Sequence, residues 1–261
     1  MLVAAITWTR IAEAQVNTQV LERDPSKQGW SGSVTGSLTM KSGNVDLFDV
    51  GGAGDVQFLT LWSPESNQDV PWIRQRVYLR SDGRYTENAD VKILSSAFSH
   101  ARWTAMWHPR VGSEVFLQHQ YNAFLRLTLR ALAGTGARVV AVNRKQLLAA
   151  AGTGYMIEYE RIDVAEGADD DPRTTAHRWS NYLTGRVELA GGKVLLQDTL
   201  YVQPRFGDVS DLRVLNDLEV VLPITSRVSF SVALVWLNDS EPPTGIEKSD
   251  MSYFQSVTVS L

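Results

Sequence analysis

Four histidines, His100, His108, His119 and His177, are the side chains best suited to move a proton or hold a metal, and their spacing suits neither task. No two stand as His-x-x-x-His or with Glu as Glu-x-x-His, the spacings that bring two ligands to one face of a helix. His108 precedes Pro109 in a turn and is expected to meet water. His100 lies two residues before Arg102, where it reads either as a hydrogen-bonded interior residue or as a general base. His119 shares the parity of Val115 and Leu117. With a neighbouring outward serine it could imitate the Ser/His site of a lipid-modifying or lipase-type enzyme, although no Gly-x-Ser-x-Gly elbow supports a nucleophile. The absence of cysteine removes thiolate and disulfide chemistry. Gly134/Gly136 and Gly152/Gly154 look like pieces of a phosphate loop, but they fall inside long alternating runs, where glycine leaves room for a large neighbour or bends a wall. Asp169, Asp170 and Asp171 offer a weak calcium site or a solvated acidic loop. No metal site and no cofactor is expected.

The stronger pattern is ionic. One side of the apolar–polar alternation carries Arg74, Arg76, Arg80, Arg102, Arg126, Arg130, Arg138, Arg178, Arg186, Arg205 and Arg213. The same side carries Asp49, Asp55, Glu114, Glu158, Glu160, Glu188, Asp217 and Glu219. Interleaved guanidinium and carboxylate groups can hydrogen-bond into a rigid plug, or they can line a constricted path that prefers small anions.

The stretch "YNAFLRLTLRALAGTGARVVAV", residues 121–142, shows what element must hold them. Its odd positions read Leu125, Leu127, Leu129, Ala131, Ala133, Thr135, Ala137, Val139, Ala141; its even positions hold Arg126, Arg130, Arg138 and both glycines. A membrane-spanning helix would place each Arg in hydrocarbon at roughly 2.5–3.5 kcal/mol, and no helix aligns Arg138 with Arg126 and Arg130. In a strand, successive side chains point to opposite faces, so one face is apolar throughout. The period is two.

That period continues from Trp30 to Leu261. Val77 and Leu79 alternate with Arg76 and Arg80; Ala101, Trp103, Ala105 and Trp107 alternate with His100, Arg102 and Thr104; Tyr155, Ile157 and Tyr159 alternate with Glu158 and Glu160. Turn signals separate the runs: Ser42-Gly43-Asn44, residues 63–69, Asp82-Gly83, His108-Pro109-Arg110, Asn122, Asn143-Arg144, Gly191-Gly192, Gly207-Asp208, Thr225-Ser226 and Pro242-Pro243. About twelve strands result, and the two long polar loops, 163–175 and 238–250, fall at the same end. Trp and Tyr gather near strand ends, as interfacial girdles do.

The expectation is all-β: a single transmembrane antiparallel up-and-down β-barrel of about twelve strands over residues 29–261, in the outer membrane of a Gram-negative bacterium. Residues 1–14 read as a truncated signal peptide ending in Ala12-Glu13-Ala14, and residues 15–28 as a periplasmic segment. Outer-membrane lipids, the barrel assembly machinery (through the alternating C-terminal strand) and small anionic solutes are the expected partners. A net charge of −4 gives no reason to expect nucleic acid. A soluble barrel or sandwich is the competing fold, but it would have to bury these arginines in an apolar core.

Three stretches resemble a known family: "EVFLQHQYNAFLRLTLRALAGTGARVV" (114–140), "LNDSEPPTGIEKSDMSYFQSVTVSL" (237–261) and the opening "GWSGSVTGSLTMKSGNVD" (29–46). They are similar to the YdiY-like "salt-induced outer membrane proteins", a family largely of unknown function. The most specific pieces are Gln120-Tyr121-Asn122 leading into an Arg-bearing Gly-x-Gly strand, and the acidic-Pro-Pro-x-Gly loop before the last strand. The resemblance implies an outer-membrane β-barrel and almost no biochemistry. A narrow channel or an envelope component without catalysis is the expected role.

Overall fold

Alternation of period two leaves the backbone hydrogen bonds of each run to its neighbours, and the chain satisfies them in the simplest order. The computed structural model describes residues 28–41, 47–62, 70–88, 91–225 and 228–259. The expected signal peptide, most of the segment after it and the 63–69 connection lie outside the described residues. Twelve strands follow one another: β1 (Gly29–Lys41), β2 (Leu47–Leu61), β3 (Ile73–Asn88), β4 (Val91–His108), β5 (Val111–Asn122), β6 (Leu127–Arg144), β7 (Leu147–Ile162), β8 (Arg173–Leu189), β9 (Val194–Arg205), β10 (Asp208–Pro223), β11 (Val228–Asp239) and β12 (Ser249–Val259). Each pairs antiparallel with the next in one up-and-down sheet whose edges, among the described residues, are β1 and β12. No helix occurs among the described residues.

The register aligns side chains of like character across strands. Val77, Trp103, Val115, Thr135, Tyr155 and Trp179 are successive partners from β3 to β8, and Leu79, Ala101, Leu117, Ala133 and Ile157 form the row beside them. This face is bare: Trp103, Leu117 and Trp179 are 47%, 58% and 50% exposed. The opposite face is covered, with Arg76, Arg102, Arg130, Arg138, Arg178 and Arg213 each between 2% and 6% exposed. It is not purely polar. Tyr78, Phe98, Leu132, Met156, Tyr182, Tyr201 and Leu215 are buried among the charges.

Burial on one face alone requires the sheet to curl. The Tyr182 hydroxyl on β8 reaches Glu114 on β5 at 2.8 Å, and the Arg102 guanidinium on β4 lies 5.9 Å from the Tyr182 ring centre. Strands three apart in a flat sheet would be about 14 Å from each other. Glycines permit the curl. A Cβ on Gly134 would lie 2.2 Å from the Phe116 ring, and one on Gly152 would lie 2.2 Å from the Tyr182 ring, so these rings occupy the missing side chains' space.

Three departures from simple alternation correct the sequence reading. Asp82-Gly83 is no turn: β3 runs through it, with Gly83 paired to Gly52 and Ala97. Asp82 accepts from Arg80 Nε at 2.9 Å, so its polarity belongs to an interior ion pair. At the β5–β6 connection the register shifts between Gln120 and Asn122 and again between Leu127 and Leu129. The shift turns Leu127 inward, 3% exposed, rather than outward with Leu129. It also leaves Arg126 in the turn with a φ of 57°, off the strand that carries Arg130. Finally, a shift between Thr60 and Leu61 leaves Arg74 unpaired in the ladder and exposed, its guanidinium 5.3 Å from the Trp62 ring centre.

Candidate functional site

Glu158 and Glu160 stand two residues apart on β7 and therefore on one face, the inner one. Three buried arginines from other strands converge on them. Arg178 of β8 donates from Nε to Glu158 at 3.1 Å, from Nη2 to Asp211 at 2.8 Å, and from Nη1 to the carbonyls of Gln203 and Asp211, both at 3.2 Å. Arg213 of β10 bonds Glu158 through Nη1, donates to Glu160 from Nη2 at 3.1 Å and to Asp239 from Nε at 2.8 Å. Arg130 of β6 bonds Glu160 through Nε. Arg205, more open at 44% side-chain exposure, adds a 3.3 Å contact to Asp211. Four guanidiniums thus meet four carboxylates, Glu158, Glu160, Asp211 and Asp239. Each charge is paired and hydrogen-bonded, the condition under which ions tolerate burial.

A second cluster forms around Glu114 of β5. It accepts from Thr104 at 3.0 Å and from the Tyr182 hydroxyl at 2.8 Å, and it lies 3.8 Å from Arg102 Nη1 and 3.6 Å from Arg138 Nη1. Arg138 donates to the Tyr182 hydroxyl at 2.8 Å, so Tyr182 links cation to anion. His100 faces Gln118 through Nδ1 at 3.1 Å and stacks between Phe98 and Phe116 at 6.2 Å and 6.3 Å.

Of the remaining interior candidates, Arg76 stands in the same cross-strand row as Thr104 and Glu114 and adds to the positive field on that carboxylate. Arg76 and Asp217 are buried, while Arg80, Arg186, Glu188 and Glu219 are half-buried. Arg76, Arg138 and Arg186 line a cavity of about 50 Å³ with Trp72, Met106 and Leu148, at the end where the 109–110 and 145–146 turns lie. At the opposite end Arg130, Glu160 and Arg213 face a cavity of about 60 Å³ beneath the 240–248 loop. Arg126 sits above it, donating to the Thr244 carbonyl at 3.2 Å. Asp170 is engaged there as well, accepting from the Thr244 hydroxyl at 2.9 Å and from its backbone N–H. Among the described residues, no three His, Asp or Glu side chains are grouped to hold a metal ion.

On the outer face, Ser81, Ser99 and His119 are successive cross-strand partners on β3, β4 and β5. The two serine hydroxyls are 2.9 Å apart. His119 is exposed, and among the described residues no acid or amide orients its ring, so the row has a nucleophile type and a base type but not a third group to align them. His177, also outward, pairs its Nδ1 with the Tyr155 hydroxyl. His108 accepts from the Arg110 backbone N–H in the turn.

Several key interior residues are absent from the ionic list read from sequence: Asp211, Asp239, Tyr182, Tyr201, Thr104 and Gln120. Parity could have found most of them. Tyr182 is four residues from both Arg178 and Arg186, and Asp211 is two from Arg213, so each shares its neighbour's face. Aromatic type suggests an interface, which hides Tyr78, Tyr182 and Tyr201, all of which face inward.

Residues 65–261 match the model of a family described as a protein of unknown function, DUF481. No curated protein matches the chain. Among solved structures, it is similar to one described as the NanC porin in a rhombohedral crystal form. That likeness has 12% identity, covers 88% of this chain and 99% of that chain, and has a TM-score of 0.47.

Proposed function

The chain belongs to the DUF481 family of unknown function, and we propose that it is an outer-membrane β-barrel closed by its own interior side chains, an envelope component and not a standing pore. The observation that carries this reading is the inversion of the two faces: Trp103, Leu117 and Trp179 are open while six arginines are at most 6% exposed. Soluble monomers rarely leave a contiguous apolar face of this extent in water. In lipid the same face is the stable one. The strands are also long enough, 11–18 residues, against about 9–11 for a tilted strand crossing hydrocarbon.

A membrane leaves no sheet edge unpaired. On this reading β1 and β12 meet, which an up-and-down order allows without a crossover. Residues 29–261 form the barrel, residues 1–14 the leader and 15–28 a periplasmic stretch. The site of action is the outer membrane of a Gram-negative bacterium, with lipid around the wall and the assembly machinery engaging the last strand. Closure of the interior is supported by the paired charges around Glu158 and Glu114 and by cavities of only about 50 and 60 Å³ at the two ends. Each has room for a few waters.

A narrow channel for small anions is the second reading, favoured by Arg76, Arg138 and Arg186 around one end cavity. Detergent extraction followed by electrophoresis with and without heating tests the barrel: a heat-modifiable band is expected, and full solubility without detergent contradicts both readings. Planar-bilayer recording then separates them. The closed barrel gives no steady current, and the channel gives a reversal potential favouring anions.

A further inference from the structure

Inside the curled sheet, His100 and Arg102 of β4 and Tyr201 of β9 line a cavity of about 30 Å³, with Gln118, Ser180 and Gln203 beside them. That volume admits about one or two water-sized guests. The three residues are 4%, 6% and 6% exposed. Each presents a buried polar atom outside hydrogen-bond geometry with any protein group: His100 Nε2, Arg102 Nε and Nη1, and the Tyr201 hydroxyl, which lies near enough to Arg102 to interact with its charge. Buried polar atoms are nearly always satisfied, so a cluster of them around one void points to a guest.

The local charge says which kind. The carboxylate beside Arg102 is Glu114, 3.8 Å from Nη1. It already accepts from Thr104 and Tyr182 and lies 3.6 Å from Arg138. At 3.8 Å the Arg102–Glu114 contact is longer than a hydrogen bond, so the carboxylate leaves the Arg102 N–H groups that face the cavity unsatisfied. Arg102 is otherwise flanked by the Phe116 and Tyr182 rings, at 5.5 Å and 5.9 Å, which soften its burial without neutralising it. Toward an anion the Arg102 N–H groups and the Tyr201 O–H donate, whereas His100, whose Nδ1–H faces the Gln118 amide oxygen, offers Nε2 as a donor only as imidazolium.

We propose that this cavity binds one small monovalent anion of halide size, held chiefly by Arg102 and Tyr201. The site rests on the closed interior proposed above and adds to it a salt-dependent element at its centre.

The test uses the full chain folded in detergent, with the heated-gel midpoint of the folded band read in sodium chloride or bromide against sodium gluconate at equal ionic strength. Gluconate is too large for the cavity. The midpoint should rise with halide and saturate. Tyr201→Phe keeps the ring and should still give the folded band, but it should need about tenfold more halide for half the effect, the worth of one hydrogen bond to a charge. Equal midpoints in halide and gluconate, or an unchanged halide response in Tyr201→Phe, overturn the site while leaving the barrel standing. No folded band in any salt overturns the barrel, and the site with it.

Discussion

The hydroxyl of Tyr182 on β8 donates to Glu114 on β5 at 2.8 Å, bridging three strands across the interior. Its ring lies over Gly152, and Arg138 donates to the same oxygen at 2.8 Å. One side chain therefore ties the curvature of the wall to the pairing of its charges.

That coupling makes Gly152 sensitive to size. Gly152→Ala should destabilise the folded protein by about 1–3 kcal/mol through overpacking against the ring. Gly185→Ala is the control, because its nearest neighbouring atom would be 3.8 Å from the new Cβ. Urea unfolding in lipid vesicles measures both.

Glu158 serves Arg178 and Arg213 together. Glu158→Ala removes a shared carboxylate from two buried cations and should cost about 3–5 kcal/mol. Arg205→Ala, at a partner 44% exposed, should cost less than about 1 kcal/mol. Equal losses in the same unfolding measurement would contradict the burial of the Glu158 centre.

Leu117 lies 58% exposed in the outer row. On a lipid-facing wall, Leu117→Arg should cost about 2–4 kcal/mol if it lies near the bilayer midplane. On a wall facing water the same change would stay within about 0.5 kcal/mol. Folding yields of parent and variant into vesicles distinguish the two.

Asp170 holds Thr244 by both its hydroxyl and its N–H, joining two loops at one end of the sheet. Asp170→Ala should expose the 240–248 loop to limited proteolysis severalfold faster and leave the heat-modifiable band intact. An unchanged cleavage rate would show that the loop is held elsewhere.

Much of this architecture is legible in sequence because a strand has only two faces. Reading every second residue separates Trp103 and Leu117 from Arg102 and Gln118 without knowledge of the fold. The same rule fails where the ladder slips. A register shift beside Leu127 turns that leucine inward and leaves Arg126 in a turn, and another strands Arg74 outside the ladder. Pairings such as Arg213 with Glu158 depend on how tightly the sheet curls, a property of the assembled wall and not of either strand. Asp82-Gly83 misleads because turn residues are recognised by type, while here the aspartate answers Arg80 on the inner face.

An apolar face that meets lipid would bring Trp103 and Trp179 against acyl chains. Variants keeping only Trp103 or only Trp179 as fluorophore, reconstituted in vesicles of lipid brominated along the acyl chains, test this most directly. Strong quenching of both relative to unbrominated lipid is expected if that face lies in the bilayer. Unquenched emission that is instead reduced by a water-soluble quencher would contradict it.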